Sequence, residues 1–398
     1  MDITIDPGKL TGTIQAIPSK SQAHRLLICA AFADRPTRLL CPATSRDIQA
    51  TADCLNALSA CVEHTEEGYL VQPIRALPRS AVLHCQESGS TLRFLLPVAG
   101  ALGVDATFVM AGRLPERPLS PLWEELERMG CRLSRPSSNT LRCTGQLQSG
   151  AFTISGGVSS QFITGLLFAA SRLSGSSQIQ IQGPLASRPY VDMTCQAMAA
   201  FGVDTTGYQI PGGQVYRSPG EVTVEGDWSN AAFWLAAQAL GSPLEVTGLS
   251  QTSSQGDRAI ARLLQDLEGC PEIRATHTPD LVPVLAVVAG AANGARFTDC
   301  ARLRLKETDR LQTTAAMIRA LGGQAQILGD DLIVSGTGYT GGTVDATGDH
   351  RIAMAAAVAA TVCRGPVTVL GAEAVEKSYP GFWKDYQKLG GHYEQHLR

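Results

Sequence analysis

One pattern recurs six times along this chain and limits what it can fold into: a polar or glycine-containing segment that opens a helix of small apolar residues. It reads PSKSQAHRLLICAAFA from Pro18, ESGSTLRFLLPVAGAL from Glu87 and VSSQFITGLLFAAS from Val158. It returns as GDWSNAAFWLAAQAL from Gly226, TPDLVPVLAVVAGAA from Thr278 and GDHRIAMAAAVAATV from Gly348. The step is about 70 residues, with one shorter step of about 50 between the fourth and fifth copies. A short β-type run follows each such helix, most clearly at residues 107–110, 178–182, 244–247, 296–298 and 367–370. A polar loop and a second, amphipathic helix come next. Five of these second helices end at glycine (Gly130, Gly202, Gly269, Gly322 and Gly390), as C-caps do, and the first ends near Ser59-Ala60. Each copy therefore reads as a β-α-β-α-β-β module.

At 398 residues the chain exceeds one ordinary core. Six modules predict an α/β (α+β) fold of two domains, each with three modules about a pseudo-threefold axis. The shortened fourth copy marks the crossover. The first domain is expected over residues 19–226, and the second over 1–18 plus 227–398, with strands at residues 3–5 and 10–15 joining the second.

Charge narrows the ligand classes. The formal net charge is -3, which gives no reason to expect nucleic acid or an anionic membrane as partner. A site for acidic ligands must then be a local cluster of cations. Lysine is scarce (Lys9, Lys20, Lys306, Lys377, Lys384 and Lys388), and three of these fall in the polar loops of the modules. The 11 cysteines are scattered without a C-x-x-C pair and read as small buried hydrophobes of a reducing compartment. The N-terminal MDITIDPGKL has neither a basic nor an apolar leader pattern, and the apolar runs 281–292 and 352–362 are too short to span a bilayer. A cytoplasmic protein is expected.

Within each module the polar residues gather at the start of the first helix and in the loop before the second. Helix N-termini carry unpaired N–H groups and the positive end of the dipole, so they attract anions. The first positions read Lys20-Ser21, Ser88-Gly89-Ser90, Ser159-Ser160-Gln161, Ser229-Asn230, Asp280 and Asp349-His350-Arg351. The second read Arg113–Arg117, Ser187–Tyr190, Arg304–Glu307 and Glu376-Lys377. Singly, each has a plainer explanation: serines cap helices, and Lys306-Glu307 with Asp309-Arg310 suits surface ion pairs at a helix start. Together they place cations and acids at equivalent module positions, which predicts one cleft lined with both. Gly336-x-Gly338-x-x-Gly341 matches a dinucleotide fingerprint in letters only, because it leads into a strand and turn instead of a helix. No Walker lysine motif, H-E-x-x-H or serine-hydrolase elbow occurs.

Seven segments carry a resemblance to a known family. They are PSKSQAHR from Pro18, RLPERP from Arg113, SSQF from Ser159, SRPY from Ser187, LKETDR from Leu305, DHR from Asp349 and KSYP from Lys377. In this order, from end to end, the chain resembles the enolpyruvyl transferases, most closely their shikimate branch. The family fold has two domains of three β-α-β-α-β-β modules, an inverse barrel with the active site in the interdomain cleft. The resemblance implies transfer of the enolpyruvyl group of phosphoenolpyruvate to the 5-hydroxyl of shikimate 3-phosphate, by addition and elimination.

It implies that Lys20, Ser21, Arg25, Ser159, Ser160, Gln161, Ser187, Asp280 and Lys306 bind shikimate 3-phosphate, with Tyr190 beside them. Lys20, Gly89, Arg117, Gln161, Arg310, Arg351 and Lys377 would bind phosphoenolpyruvate. Lys20, Asp280 and Glu307 would be catalytic. No metal or other cofactor is expected, and the protein is expected to act as a monomer. In the family the glycine at position 89 leaves room for glyphosate. Glu87 stands where many members have asparagine, and it is left out of the binding set. Two other readings remain: the sister transferase that uses UDP-N-acetylglucosamine, and a non-catalytic anion-binding repeat protein.

Overall fold

The structure is a computed structural model that describes residues 1–346 and 348–396, apart from the side chain of residue 268. It divides into two compact units: an N-terminal unit, Pro18–Val224, and a C-terminal unit, Met1–Ile17 with Glu225–Arg398. The N-terminal unit holds α1 (Lys20–Ala31), α2 (Arg46–Ala57), α3 (Gly89–Leu102), α4 (Leu122–Arg128), α5 (Ser160–Ala170) and α6 (Arg188–Ala200). The C-terminal unit holds α7 (Trp228–Ala239), α8 (Ile260–Asp266), α9 (Val282–Ala291), α10 (Arg310–Ala320), α11 (His350–Ala360) and α12 (Phe382–Lys388).

The odd-numbered helices are the small-residue helices of the repeat, and packing makes them helical. In α11 every residue from His350 to Ala360 is buried, and in α9 all but Ala291 are. Burying one leucine such as Leu27, Leu95 or Leu167, each with no exposed surface, is worth about 1.5–3 kcal/mol. That exceeds any difference in helix propensity, so tertiary contact decides these segments. Small residues let the helices approach closely. At Gly165 in α5, an added Cβ would lie 2.2 Å from the carbonyl oxygen of Arg93 in α3.

The sheets explain the repeat and its one short step. Residues 80–86, 105–110, 140–145 and 131–134 form a sheet in that order, with the first pair parallel and the others antiparallel. Glu272–Arg274, Ala295–Thr298, Asp331–Ser335 and Gln324–Leu328 repeat that arrangement. In the first module, the parallel neighbour of Thr37–Leu40 is Glu221–Thr223, from the far end of the same unit. In the fourth, Gly12–Gln15 lies parallel to Leu244–Thr247, and these two strands make up the whole sheet. The fourth module lacks the closing hairpin, and that loss is the shortened step. Asp2–Ile5 completes the sixth module by pairing antiparallel with both Val367–Leu370 and Tyr393–His396.

Helix ends follow the glycine rule with instructive exceptions. Gly130, Gly202, Gly322 and Gly390 all take positive φ. After α8 the left-handed residue is Cys270 (φ 54°), not Gly269, because a 3-10 turn over Leu267–Gly269 carries the chain one residue further. After α2 it is Ser59, at φ 72°. Lys306 and Glu307 do not begin a helix: they follow a 3-10 turn over Ala301–Leu305, and α10 starts at Arg310 under an Asp309 cap. Among the described residues no helix is long and apolar enough to cross a membrane. Of the 11 cysteines, only Cys61 and Cys270 are exposed and Cys195 is half-buried.

Candidate active site

Five of the six odd-numbered helices are capped by a side chain immediately before their polar motif. Ser19, Ser88, Ser159, Asp227 and Asp349 accept from the backbone N–H of Gln22, Thr91, Gln161, Asn230 and Arg351. The sixth, α9, is entered through a 3-10 turn over Pro279–Leu281 that carries Asp280. The polar residues around those five helix starts are thus fixed by local capping before any ligand arrives.

In the N-terminal unit, Lys20 is the first residue of α1, and its ammonium meets Asp47 Oδ2 at 2.9 Å. Arg25, one turn on, is 2% exposed. Its guanidinium donates to Thr194 Oγ1 (2.8 Å), the Ser21 carbonyl (2.6 Å) and the Tyr190 carbonyl (2.9 Å), and it lies over the Phe94 ring. These acceptors are neutral, so burial pushes the Arg25 guanidinium down to about 10.

A second group lies around Gly89. Arg93 donates to Gln161 Oε1 at 2.7 Å and to the Pro118 carbonyl at 3.0 Å, and the Gln161 amide donates to Ser90 Oγ at 3.0 Å. A Cβ at Gly89 would sit 2.9 Å from Arg117 Nη1 and 3.1 Å from Arg93 Nη1. Both guanidinium groups therefore press against the backbone there, and glycine keeps the space. Ser159 Oγ is engaged as a cap, Ser160 is buried in the first turn of α5, and Ser187 is buried with a left-handed backbone (φ 54°). The N-terminal unit thus joins Lys20, Ser21 and Arg25 through α1, and Gly89, Arg117 and Gln161 through Arg93.

The C-terminal unit gathers all six of its expected site residues into one network. Arg310, 1% exposed, is its centre. It makes a two-point contact with Asp349 (3.0 and 3.1 Å), donates to Asp280 Oδ1 at 2.8 Å and reaches Glu307 Oε2 at 2.5 Å. Asp280 also meets Lys306 Nζ at 3.1 Å and Arg351 Nη2 at 3.4 Å. Glu307 meets Lys377 Nζ at 4.0 Å. Burial alone would raise the Asp280 carboxyl, but Arg351, Lys306 and Arg310 hold it well below the usual carboxylate range. Burial lowers the Lys306 ammonium, against the pull of Asp280. The Arg310 charge is disfavoured by burial, yet Asp349, Glu307 and Asp280 more than compensate and raise its pKa.

Two acids with fixed cationic partners can move protons, and a row of cations can hold phosphate and carboxylate groups. Sequence reasoning gave Asp349 no role of its own, although it stands inside a recognised segment. It also passed over Arg93 and Asp47. Asp47 opens the second helix of the first module, at the module position where Arg113–Arg117 and Arg304–Glu307 lie in others. The repeat was the signal that could have found it. No group of three or more His, Cys, Asp or Glu side chains suited to a metal ion occurs among the described residues.

Comparison with known proteins identifies the family. The sequence profile of EPSP synthase (3-phosphoshikimate 1-carboxyvinyltransferase) matches residues 5–386. The chain belongs to the EPSP synthase family. It is 39% identical to the 3-phosphoshikimate 1-carboxyvinyltransferase of Clostridium kluyveri, over 99% of this chain and 98% of that protein. The identity to the protein of that name from Clostridium perfringens is 37%, with 98% of each chain covered. In structure it is similar to EPSP synthase from Acinetobacter baumannii, with a TM-score of 0.80 and 22% identity, over 99% of this chain and 100% of the other. The enolpyruvyl transferase NikO from Streptomyces tendae superposes with a TM-score of 0.77 at 17% identity, over 99% of this chain and 98% of NikO. These two likenesses establish a shared two-domain fold of β-α-β-α-β-β modules, the inverse barrel of the enolpyruvyl transferases.

Proposed function

We infer that this chain transfers the enolpyruvyl group of phosphoenolpyruvate to the 5-hydroxyl of shikimate 3-phosphate and releases phosphate, in the shikimate pathway to aromatic amino acids. The observation that carries the catalytic reading is the placement of Asp280 and Glu307 on one buried guanidinium, Arg310, with Lys306 and Lys377 beside them. The reaction needs such a pair. The 5-hydroxyl adds to C2 of phosphoenolpyruvate and loses its proton, while C3 gains one. The ketal phosphate then loses a C3 proton and expels phosphate.

In this reading Glu307 is acid and then base at C3, Asp280 serves the 5-hydroxyl, and Lys20 stabilises the departing phosphate. Both substrates carry phosphate and carboxylate, and arginine stays charged while binding either. Phosphoenolpyruvate is assigned to Lys20, Gly89, Arg117, Gln161, Arg310, Arg351 and Lys377. Shikimate 3-phosphate is assigned to Lys20, Ser21, Arg25, Ser159, Ser160, Gln161, Ser187, Asp280 and Lys306. Arg25 already serves four protein acceptors, so its larger part is to hold the Ser21 and Tyr190 backbone in place. For Arg310, whose forks are occupied by carboxylates, the part is to set the two acids as well as to attract an anion.

The fold alone does not choose the acceptor. Phosphate release measured with shikimate 3-phosphate, and separately with UDP-N-acetylglucosamine, decides. Turnover with shikimate 3-phosphate is expected. Turnover with the UDP-sugar alone would assign the chain to the sister activity, and no turnover with either would favour a binding protein.

A further inference from the structure

The loop before the second helix carries site residues in four modules and Asp47 opens that helix in the first; in the fourth module it is Ser253–Ala259 that occupies this position. Two of its side chains grip the start of α7. Gln255, 5% exposed, accepts from the Trp228 backbone N–H at 3.0 Å and donates to the Gly226 carbonyl at 2.7 Å. Asp257, 1% exposed, accepts a short hydrogen bond from the Ser229 hydroxyl. The carbonyl of that same Ser229 accepts from Arg351 Nη1 at 3.4 Å, and the Asp280 carbonyl accepts from the same nitrogen at 3.3 Å. Arg351 is thus held between two backbone oxygens, and one of them belongs to a residue clamped from behind by a buried carboxylate.

We propose that Asp257 is a positioning residue for Arg351, which fixes Ser229 so that the guanidinium is aimed to receive an anionic group of phosphoenolpyruvate. The inference rests on the assignment of Arg351 to that substrate. Leaving a carboxylate at this depth is costly unless it has work to do. Burial and the charge of Asp280 raise the Asp257 carboxyl to about 6, Arg351 and the Ser229 hydrogen bond pull it back, and Asp227 opposes them weakly. What the arrangement uses is its oxygen, as the acceptor for the Ser229 hydroxyl. An apolar residue would fill the space more cheaply, but it would release Ser229, whose carbonyl is one of the two backbone oxygens that hold Arg351.

Three variants test this: Asp257→Ala removes the clamp, Ser229→Ala removes the other half of the hydrogen bond, and Asp257→Asn keeps an acceptor for the Ser229 hydroxyl. The KM for phosphoenolpyruvate is expected to rise about tenfold in Asp257→Ala and in Ser229→Ala, with kcat and the KM of the acceptor within about twofold of wild type. Asp257→Asn is expected to stay within about threefold in all three. A phosphoenolpyruvate KM unchanged in both alanine variants would overturn the proposal, and so would a parallel loss in all constants that Asp257→Asn fails to rescue. Should Asp257→Ala not fold, Ser229→Ala carries the same comparison. Wild-type turnover with shikimate 3-phosphate tests the functional reading separately. If a different acceptor is used, or none, the same ratio is read with that acceptor or as the Kd of phosphoenolpyruvate by calorimetry.

Discussion

Arg25 and Arg310 are both buried arginines near a helix start, and they live in opposite electrostatic settings. Arg25 is surrounded by hydroxyls and carbonyls, and burial depresses its pKa to about 10. Arg310 is surrounded by Asp349, Asp280 and Glu307, which more than offset burial. The contrast extends to their neighbours. Lys20 meets Asp47, while Arg25 and Arg93 donate to carbonyls, to Thr194 and to Gln161, whereas Lys306, Arg310, Arg351 and Lys377 share Asp280, Glu307 and Asp349. A cluster with surplus positive charge suits holding phosphate and carboxylate. A balanced cluster suits fixing acids that give and take protons.

The comparison breaks most visibly if the acids of the C-terminal unit are not needed for chemistry. Glu307→Gln is expected to lower kcat by about 10²–10⁴-fold with both KM values nearly unchanged, read by steady-state phosphate release. Next, removing each arginine should separate the two settings. Arg310→Met removes the cation shared by three buried carboxylates, leaving Asp349 without a charged partner, and is expected to cost about 3–5 kcal/mol in urea unfolding. Arg25→Met leaves only neutral acceptors unpaired and is expected to cost about 1–3 kcal/mol. Equal costs would mean that the charge setting does not matter.

The pH dependence sharpens the picture around Asp257. Its carboxyl lies at about 6 in the folded protein against an ordinary 3.8, so the folded state favours the protonated form. Its contribution therefore falls as pH rises from about 4 to about 6 and is level above that. Asp280 works the other way, since its depressed pKa gives stability above the ordinary carboxylate range that is lost on acidification. Asp257→Asn lacks the first effect and keeps the second. Its unfolding free energy in urea is expected to gain on wild type across that window by an amount on the order of 1–3 kcal/mol. The smallest effect is expected from Asp47→Asn, which leaves Lys20 a neutral partner: kcat/KM should fall roughly threefold to tenfold.

Much of the fold was legible because the repeat is written in hydrophobic pattern, and pattern fixes element order. The small-residue helices, the glycine ends of most second helices and the short fourth module all appear in the letters. What the letters could not carry is which strands close each sheet. Glu221–Thr223 pairs with Thr37–Leu40, and Asp2–Ile5 with Val367–Leu370, and such long-range partners leave no local trace. In the candidate site, the cations and acids of the recognised segments were readable, but their supports were not. Arg93, Asp47 and Asp257 act on other side chains, so nothing in their own neighbourhoods distinguishes them from caps and surface charges, and Asp349, though inside a recognised segment, reads there as a cap. The left-handed Cys270 escaped for a similar reason, because the 3-10 turn that displaces it depends on packing and not on propensity.

The division of labour between the clusters is tested most directly by proton exchange at C3. Wild-type enzyme supplied with phosphoenolpyruvate and shikimate 3-phosphate in D₂O should place deuterium in the methylene group of the product, since C3 takes a solvent-derived proton and then loses one. Glu307→Gln should slow that incorporation at least about a hundredfold while still binding both substrates. Deuterium entering at the wild-type rate in Glu307→Gln would contradict the assignment of C3 chemistry to the acids gathered on Arg310.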